Sequence, residues 1–144
     1  MVKTQFIIYI NTTKDKVWKA LWNDDLFCDW ASIIDEGTYK IGEIKEGQTI
    51  QFISSVNGYG VTSLVEKLIL YEFILFKHNV DTFEKGKQVR DKEWTGGKES
   101  YLLNEQNGVT TLVVEMDLPK NQIETFKIRV PKALERIKNL AEHL

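Results

Sequence analysis

Residues 123–144 read IETFKIRVPKALERIKNLAEHL. The apolar side chains of this segment recur every three or four residues, which is the spacing of one helix face. They are Ile123, Phe126, Val130, Leu134, Ile137, Leu140 and Leu144. The segment therefore predicts an amphipathic helix of about 20 residues, long enough to span a sheet. Pro131 lacks an amide hydrogen, so we expect either a kink near 127–131 or a helix that begins at residue 131.

The sheet that this helix needs is predicted between residues 32 and 118, where apolar and polar residues alternate. The predicted strands are 35–43, 48–55, 60–69, 72–80, 99–105 and 109–117. Their connections are too short for parallel crossovers, so the strands should be antiparallel. Asn107-Gly108 predicts a type I′ hairpin turn. We expect the helix to pack on this sheet, because about three heptads are too few to favour the alternative, a coiled coil.

A further strand and two short helices are predicted ahead of this sheet. Residues 2–10 alternate, with Phe6, Ile8 and Ile10 on the buried face. Thr12 and Asp15 have the spacing of a capping box, so a helix should begin there. Asn23-Asp24-Asp25 predicts a break and a fresh N-cap. The apolar side of the second helix consists of Leu26, Phe27 and Trp30.

Composition indicates one domain over residues 1–144 and excludes several classes of partner. The chain is 42% apolar with a net charge of −2, which argues against nucleic acid. A single cysteine excludes internal disulfides and multi-cysteine zinc sites. No metal-ligand spacing or dinucleotide fingerprint is present, so we expect neither metal nor cofactor. No apolar run approaches the roughly 18 residues of a membrane span, and no secretion signal is recognisable, which predicts a cytoplasmic protein.

A curved sheet cannot follow a straight helix along its whole length, so side chains, water or a ligand must fill the gap between them. Ligand sites of this kind are apolar concavities with a few convergent polar groups. The predicted lining consists of Phe27, Trp30, Phe52, Ile74, Phe76, His78, Trp94, Tyr101, Val114, Phe126, Val130 and Leu134. The sequence leaves open whether these side chains fill the space or surround it.

Candidate catalytic groups are few. His78 shares strand parity with Ile74 and Phe76, so it should face inward. It is either a satisfied core or rim histidine, or a group that donates to a ligand or acts as a general base. Glu66 and Glu99 could form an acid–base pair, but an orientation toward solvent or toward lysines is favoured.

Three other features favour structural interpretations. Cys28 is expected to be a small, half-buried residue whose thiolate is disfavoured by a neighbouring carboxylate. His143 should be a solvated cap at the end of the last helix. The irregular stretch 81–98 is long enough to be functional or mobile, and Trp94 within it should pack back onto an apolar site. Its charged residues read as a solvated loop: Lys85, Lys87, Arg90 and Lys92, interleaved with Glu84, Asp91 and Glu93.

Several segments resemble START-like (SRPBCC) proteins, and within them the activator of heat shock protein 90 ATPase homologue 1-like branch. They are Phe6-Ile-Ile-Tyr-Ile-Asn-Thr-Thr-Lys-Asp-Lys-Val-Trp18, Glu36-Gly-Thr-Tyr39, Phe76-Lys-His78, Trp94 ahead of Glu99-Ser-Tyr101, Gly108-Val-Thr-Thr-Leu112 and Pro131-Lys-Ala-Leu134. The resemblance implies an α+β helix-grip fold, also called birch-pollen-allergen-like. In that fold a curved antiparallel sheet of about seven strands wraps around the long C-terminal helix and encloses a hydrophobic cavity.

Three functions remain open on these grounds. Non-enzymatic binding of a small hydrophobic or amphipathic ligand is favoured, because aromatic residues should line the cavity and catalytic sets are missing. A chaperone-associated, protein-interaction role is implied by the resemblance. A polyketide cyclase or aromatase-like enzyme is the third, in which His78 is a weak catalytic candidate.

Overall fold

A computed structural model of the chain describes residues 1–83 and 93–144. The elements in chain order are β1 (Val2–Ile10), α1 (Lys14–Trp22), α2 (Asp24–Ile34), β2 (Thr38–Ile41), β3 (Thr49–Ser54), β4 (Tyr59–Ile69), β5 (Phe73–Phe83), β6 (Lys98–Gln106), β7 (Val109–Leu118), a 3₁₀ turn (Lys120–Gln122) and α3 (Ile123–Glu142).

The strands of the described residues form one antiparallel seven-stranded sheet in the order β1-β7-β6-β5-β4-β3-β2. All the predicted strands are present, and the two helices after β1 are as expected. The strand predicted at 72–80 extends to Phe83, and the one predicted at 35–43 shortens to Thr38–Ile41. Positive φ angles of 52° at Asn107 and 77° at Gly108 confirm the hairpin turn between β6 and β7.

The sheet is bent at the β4–β5 pair. The β4–β5 register shifts between Thr62 and Ser63 and again between Val65 and Lys67, and such bulges increase strand twist. β5 pairs with β6 only from Phe73 to Lys77. Next to this pairing, the His78 carbonyl oxygen accepts from the Gly96 amide at 2.7 Å, and the His78 amide donates to the Gly97 carbonyl oxygen at 2.9 Å. Among residues 1–83 and 93–144, the part of β5 beyond His78 pairs with β4 only.

Helix α3 lies on the concave face of the sheet and buries the middle of the predicted stripe, whereas Leu144 is 41% exposed and lies beyond the end of the helix. Its buried residues are Val130, Ala133, Leu134, Ile137 and Ala141. The helix begins at Ile123 and continues through Pro131, so the alternative of a start at residue 131 is wrong. Pro131 and Lys127 both lie on the exposed face. Water can therefore hydrate the Lys127 carbonyl that Pro131 leaves without a donor.

The N-terminal helices are capped differently from each other. Thr13 is the N-cap of α1, so the predicted capping box from Thr12 to Asp15 is wrong by one residue. The Thr12 amide donates to the Ile10 carbonyl oxygen, and the Thr12 carbonyl oxygen accepts from the Thr110 hydroxyl. These two hydrogen bonds hold Thr12 in the turn that precedes α1. The Asn23 side chain caps α2, as predicted, by accepting from two backbone amides at 3.1 and 3.3 Å.

A bidentate ion pair joins α2 to α3. The Arg136 guanidinium donates to both oxygens of Asp29, at 2.8 and 2.9 Å. The hydrogen bond from Arg136 lowers the pKa of Asp29 below its ordinary value of 3.8. A depressed carboxyl pKa stabilises the fold above the unfolded-state pKa, and this contribution disappears as the pH falls through the folded-state value.

Asp29→Asn is therefore expected to lower the free energy of unfolding at pH 7 by at most about 1 kcal/mol, because the pair is solvent-exposed. The difference from the unsubstituted protein should vanish below roughly pH 3. Urea unfolding of both proteins between pH 2.5 and 7 measures it. A difference of constant size over that range would exclude the ion pair as its cause.

Within residues 1–83 and 93–144, none of the helices combines the length and the apolar character needed to cross a membrane.

Candidate functional site

A cavity of about 160 Å³ lies between the concave face of the sheet, α2 and the beginning of α3. Its wall is rich in aromatic side chains: Trp22, Phe27, Trp30, Phe52, Tyr59, Trp94, Tyr101 and Phe126. The described polar residues of the wall are Asp35, Thr38, Ser54, His78 and Glu99, and the remaining described wall residues are Ala31, Ile34, Ile53, Gly60, Val61 and Met116. The helix and the sheet thus diverge here enough to leave space.

The structure divides the twelve predicted lining residues into two groups. Those on the cavity wall are Phe27, Trp30, Phe52, His78, Trp94, Tyr101 and Phe126. Those packed in the closed core instead are Ile74, Phe76, Val114, Val130 and Leu134, all at most 4% exposed. Both outcomes that the sequence left open therefore occur, because aromatic rings fill one part of the interior and surround a space in the other.

Trp22 explains this division and was absent from the predicted lining. Its ring contacts those of Tyr101 and Phe76, with centroids 4.9 and 5.4 Å apart, in edge-to-face arrangements. It also stacks on Phe27 at 6.2 Å. Trp22 is the last residue of α1. Its ring packs against the core residue Phe76 and also forms part of the cavity wall. The sequence places Trp22 four residues after Trp18, which is a helical spacing, but it does not show how close the Trp22 ring comes to the cavity.

A chain of polar side chains forms part of the cavity wall and extends behind it. His78 faces inward, as predicted, and is 4% exposed. Its Nδ1 lies 2.6 Å from Ser63 Oγ, and its Nε2 lies 3.7 Å from Glu99 Oε1. The Tyr101 hydroxyl donates to Glu99 Oε2 at 2.5 Å. These four residues bring a hydroxyl, an imidazole, a carboxylate and a phenol together.

This arrangement lacks an accessible nucleophile. Ser63 is fully buried and does not line the cavity, so its hydroxyl holds the His78 ring rather than facing a substrate. Burial, followed by the charge and the hydrogen bond of Glu99, raises the pKa of Tyr101 well above its ordinary value of 10.0. The phenol therefore stays protonated and acts as a hydrogen-bond donor.

The inward position of Glu99 corrects the expectation that it faces solvent or pairs with a lysine. Glu99 has the strand parity of the buried Tyr101 and Leu103, which directs it to the concave face. Lys98, on the other face, forms an ion pair with Glu66 at 3.3 Å instead. The neighbouring phenol compensates for the partial desolvation of Glu99.

Trp94 closes one side of the cavity. Its ring lies 5.2 Å from that of Phe126 and 6.3 Å from that of His78, which confirms that it packs back onto the core. The Trp94 amide donates to both carboxylate oxygens of Asp81 at 3.0 Å, and the Thr95 hydroxyl donates to the same group. Asp81 is fully buried, so this anchor lies inside the fold.

Within the irregular stretch predicted at 81–98, residues 81–83 belong to β5 and Lys98 belongs to β6. Residues 84–92, which carry Lys85, Lys87, Arg90 and Lys92, lie outside the described residues.

The remaining candidates have no catalytic arrangement. Cys28 is exposed rather than half-buried, and residual burial together with the charge of Asp24 raises the pKa of its thiol. His143 is the exposed C-cap of α3, as predicted, with its Nδ1 2.7 Å from the Asn139 carbonyl oxygen. Among the residues that the structure describes, no group of three or more histidine, cysteine or acidic side chains could hold a metal ion.

The architecture is shared with many solved structures, although no protein-family model and no curated protein matches the sequence. The Aha1 dimer from Colwellia psychrerythraea has a TM-score of 0.74 at 21% identity, over 99% of this chain and 97% of that one. CalU16 from Micromonospora echinospora has a TM-score of 0.62 at 16% identity, over 94% and 71%. DynU16, from the dynemicin biosynthetic locus, has a TM-score of 0.70 at 13% identity; the match covers 97% of this chain but only 47% of DynU16. This chain has the START-like, helix-grip fold.

Proposed function

We propose that the chain binds a small apolar or amphipathic molecule in the aromatic cavity without transforming it. The observation that carries the proposal is the space of about 160 Å³ between the sheet, α2 and the beginning of α3, lined mainly by aromatic side chains. A cavity of about 150 Å³ lined by apolar side chains is large enough to bind benzene. The volume therefore supports a ligand about the size of one ring.

The polar residues of the cavity wall would orient a bound ligand. Glu99 and the Tyr101 hydroxyl are already paired, and His78 is fixed by Ser63. A few positioned polar groups in an apolar pocket are typical of small-molecule sites. The enclosed position of Ser63 supports binding rather than acyl transfer. A multi-ring cyclase substrate would need more room, since sites for drug-sized ligands start at about 300 Å³.

Filling the cavity tests the proposal. Val61→Phe adds a ring to the cavity wall and should weaken the binding of single-ring molecules at least about tenfold. Amide chemical shifts during titration with a library of neutral and charged single-ring compounds measure this. Val56→Phe is the matched control, because Val56 is 63% exposed and lies off the wall. Flat titrations of the unsubstituted protein, or shifts that survive Val61→Phe, would contradict the proposal.

A chaperone-associated interaction is the second candidate, and an exposed apolar row favours it. Ile7, Val113 and Leu102 are cross-strand neighbours on the outer face of the sheet. Ile7 and Leu102 are 50% and 44% exposed, and exposed apolar patches mark interaction sites. The whole-length likeness to the Aha1 dimer supports the same candidate. Calorimetric titration with heat shock protein 90 measures it directly, and the absence of binding heat would remove it.

A further inference from the structure

A carboxylate lies on the part of the cavity wall that the structure describes. It belongs to Glu99, whose neighbours on the wall are mainly aromatic side chains. A negative charge beside low-dielectric walls attracts ligands of the opposite sign.

Glu99 has room for a further partner. One of its oxygens accepts from the Tyr101 hydroxyl, and the other lies 3.7 Å from His78 Nε2, which is longer than a hydrogen bond. An ionised carboxylate offers about four acceptor sites. The Glu99 side chain keeps 23% of its exposure and lines the cavity, so an ammonium group inside the cavity can reach it.

The surrounding rings favour the same kind of ligand. Trp30, Trp94 and Phe126 contribute faces or edges to the wall, and cations bind aromatic faces through the ring quadrupole. Trp22 gives an independent indication that the space takes a ligand. Its Nε1 is buried and has no hydrogen-bond partner among the described residues, although Trp22 itself lines the cavity. An acceptor or a π-system on a bound molecule would satisfy this donor.

We propose that the cavity selects small organic cations, namely amines with an apolar body about the size of one ring, and that Glu99 is the counter-ion. The inference rests on the proposed function, because it names the ligand class of the same cavity. The ammonium group would donate to the Glu99 carboxylate while the body packs against the aromatic wall. A charge-assisted hydrogen bond in a partly desolvated site is stronger than one between neutral groups.

Three probes of nearly equal shape separate charge from fit: benzylamine, benzyl alcohol and benzoate. In calorimetric or chemical-shift titrations, benzylamine should bind about tenfold more tightly than benzyl alcohol, and benzoate most weakly. Glu99→Gln should abolish the preference for benzylamine over benzyl alcohol, because the substitution keeps the shape of the side chain and removes its charge. Glu66→Gln, on the other face of the sheet and paired with Lys98, is the control and should leave it unchanged.

The outcomes distinguish this inference from the function on which it rests. If benzyl alcohol binds as tightly as benzylamine, or benzoate binds most tightly, the cation proposal is overturned while cavity binding stands. The same holds if the preference for benzylamine survives Glu99→Gln. If none of the three probes binds, both proposals fail. The comparison of the probes on the unsubstituted protein needs no variant, so it decides the question even if Glu99→Gln does not fold.

Discussion

Gly60→Ala should lower the free energy of unfolding by about 3 kcal/mol or more. Gly60 lies in β4 opposite Ile53 of β3. A Cβ atom at this position would lie 2.0 Å from the Phe52 carbonyl oxygen and 2.7 Å from Ile53 Cα. Both are backbone atoms in a hydrogen-bonded strand, so no side-chain rotation can relieve the overlap. The two strands would have to separate beside the cavity.

Gly47→Ala is the matched control for this substitution. Gly47 has a φ of +85°, and no described atom lies within 4 Å of an added Cβ. Its replacement should cost only about 1 kcal/mol, the strain of a left-handed backbone conformation. Urea unfolding followed by far-ultraviolet circular dichroism measures both variants. Similar destabilisation by the two alanines would show that β3 and β4 do not approach as closely as described.

The order of elements could be predicted because each one carries a local signal. The apolar stripe that includes Leu134, Ile137 and Leu140 has helical spacing regardless of what it packs on. Asn107-Gly108 specifies its turn through the φ angles that only such residues adopt readily. The predictions were wrong or left open where contacts in space decide: the Thr110 hydroxyl holds Thr12 outside α1, and α3 continues through Pro131, which lies on an exposed face.

The sequence predicted a cavity between the helix and the sheet, but it did not predict which of the inward-facing residues line that cavity. Strand parity places both Phe76 and His78 on the concave face, yet only His78 reaches the cavity wall. The difference depends on Trp22, which arrives from α1 and fills the space in front of Phe76. How rings from distant segments divide a volume is a packing result, and periodicity carries no information on it. The inward position of Glu99, by contrast, could be inferred from strand parity, because Glu99 lies two residues before Tyr101 in β6 and the Tyr101 phenol donates to it.

Phe76→Ala should lower the free energy of unfolding by about 3–5 kcal/mol. Phe76 is 1% exposed at the centre of the aromatic cluster. Its ring centroid lies 5.2 Å from that of Phe52, 5.4 Å from that of Trp22 and 6.4 Å from that of Tyr101. Removing the ring loses its transfer free energy and leaves a void that rigid neighbours cannot fill.

The same substitution should also weaken ligand binding, because the rings of Phe52, Trp22 and Tyr101 form part of the cavity wall and pack against Phe76. Phe73→Ala provides the comparison: Phe73 is in the same strand but is only partly buried and near Lys67 on the other face. It should cost about 1 kcal/mol and leave ligand titrations unchanged. Equal losses for the two phenylalanines would mean that the aromatic cluster does not support the cavity. A loss of stability in Phe76→Ala without a loss of affinity would separate the core from the site.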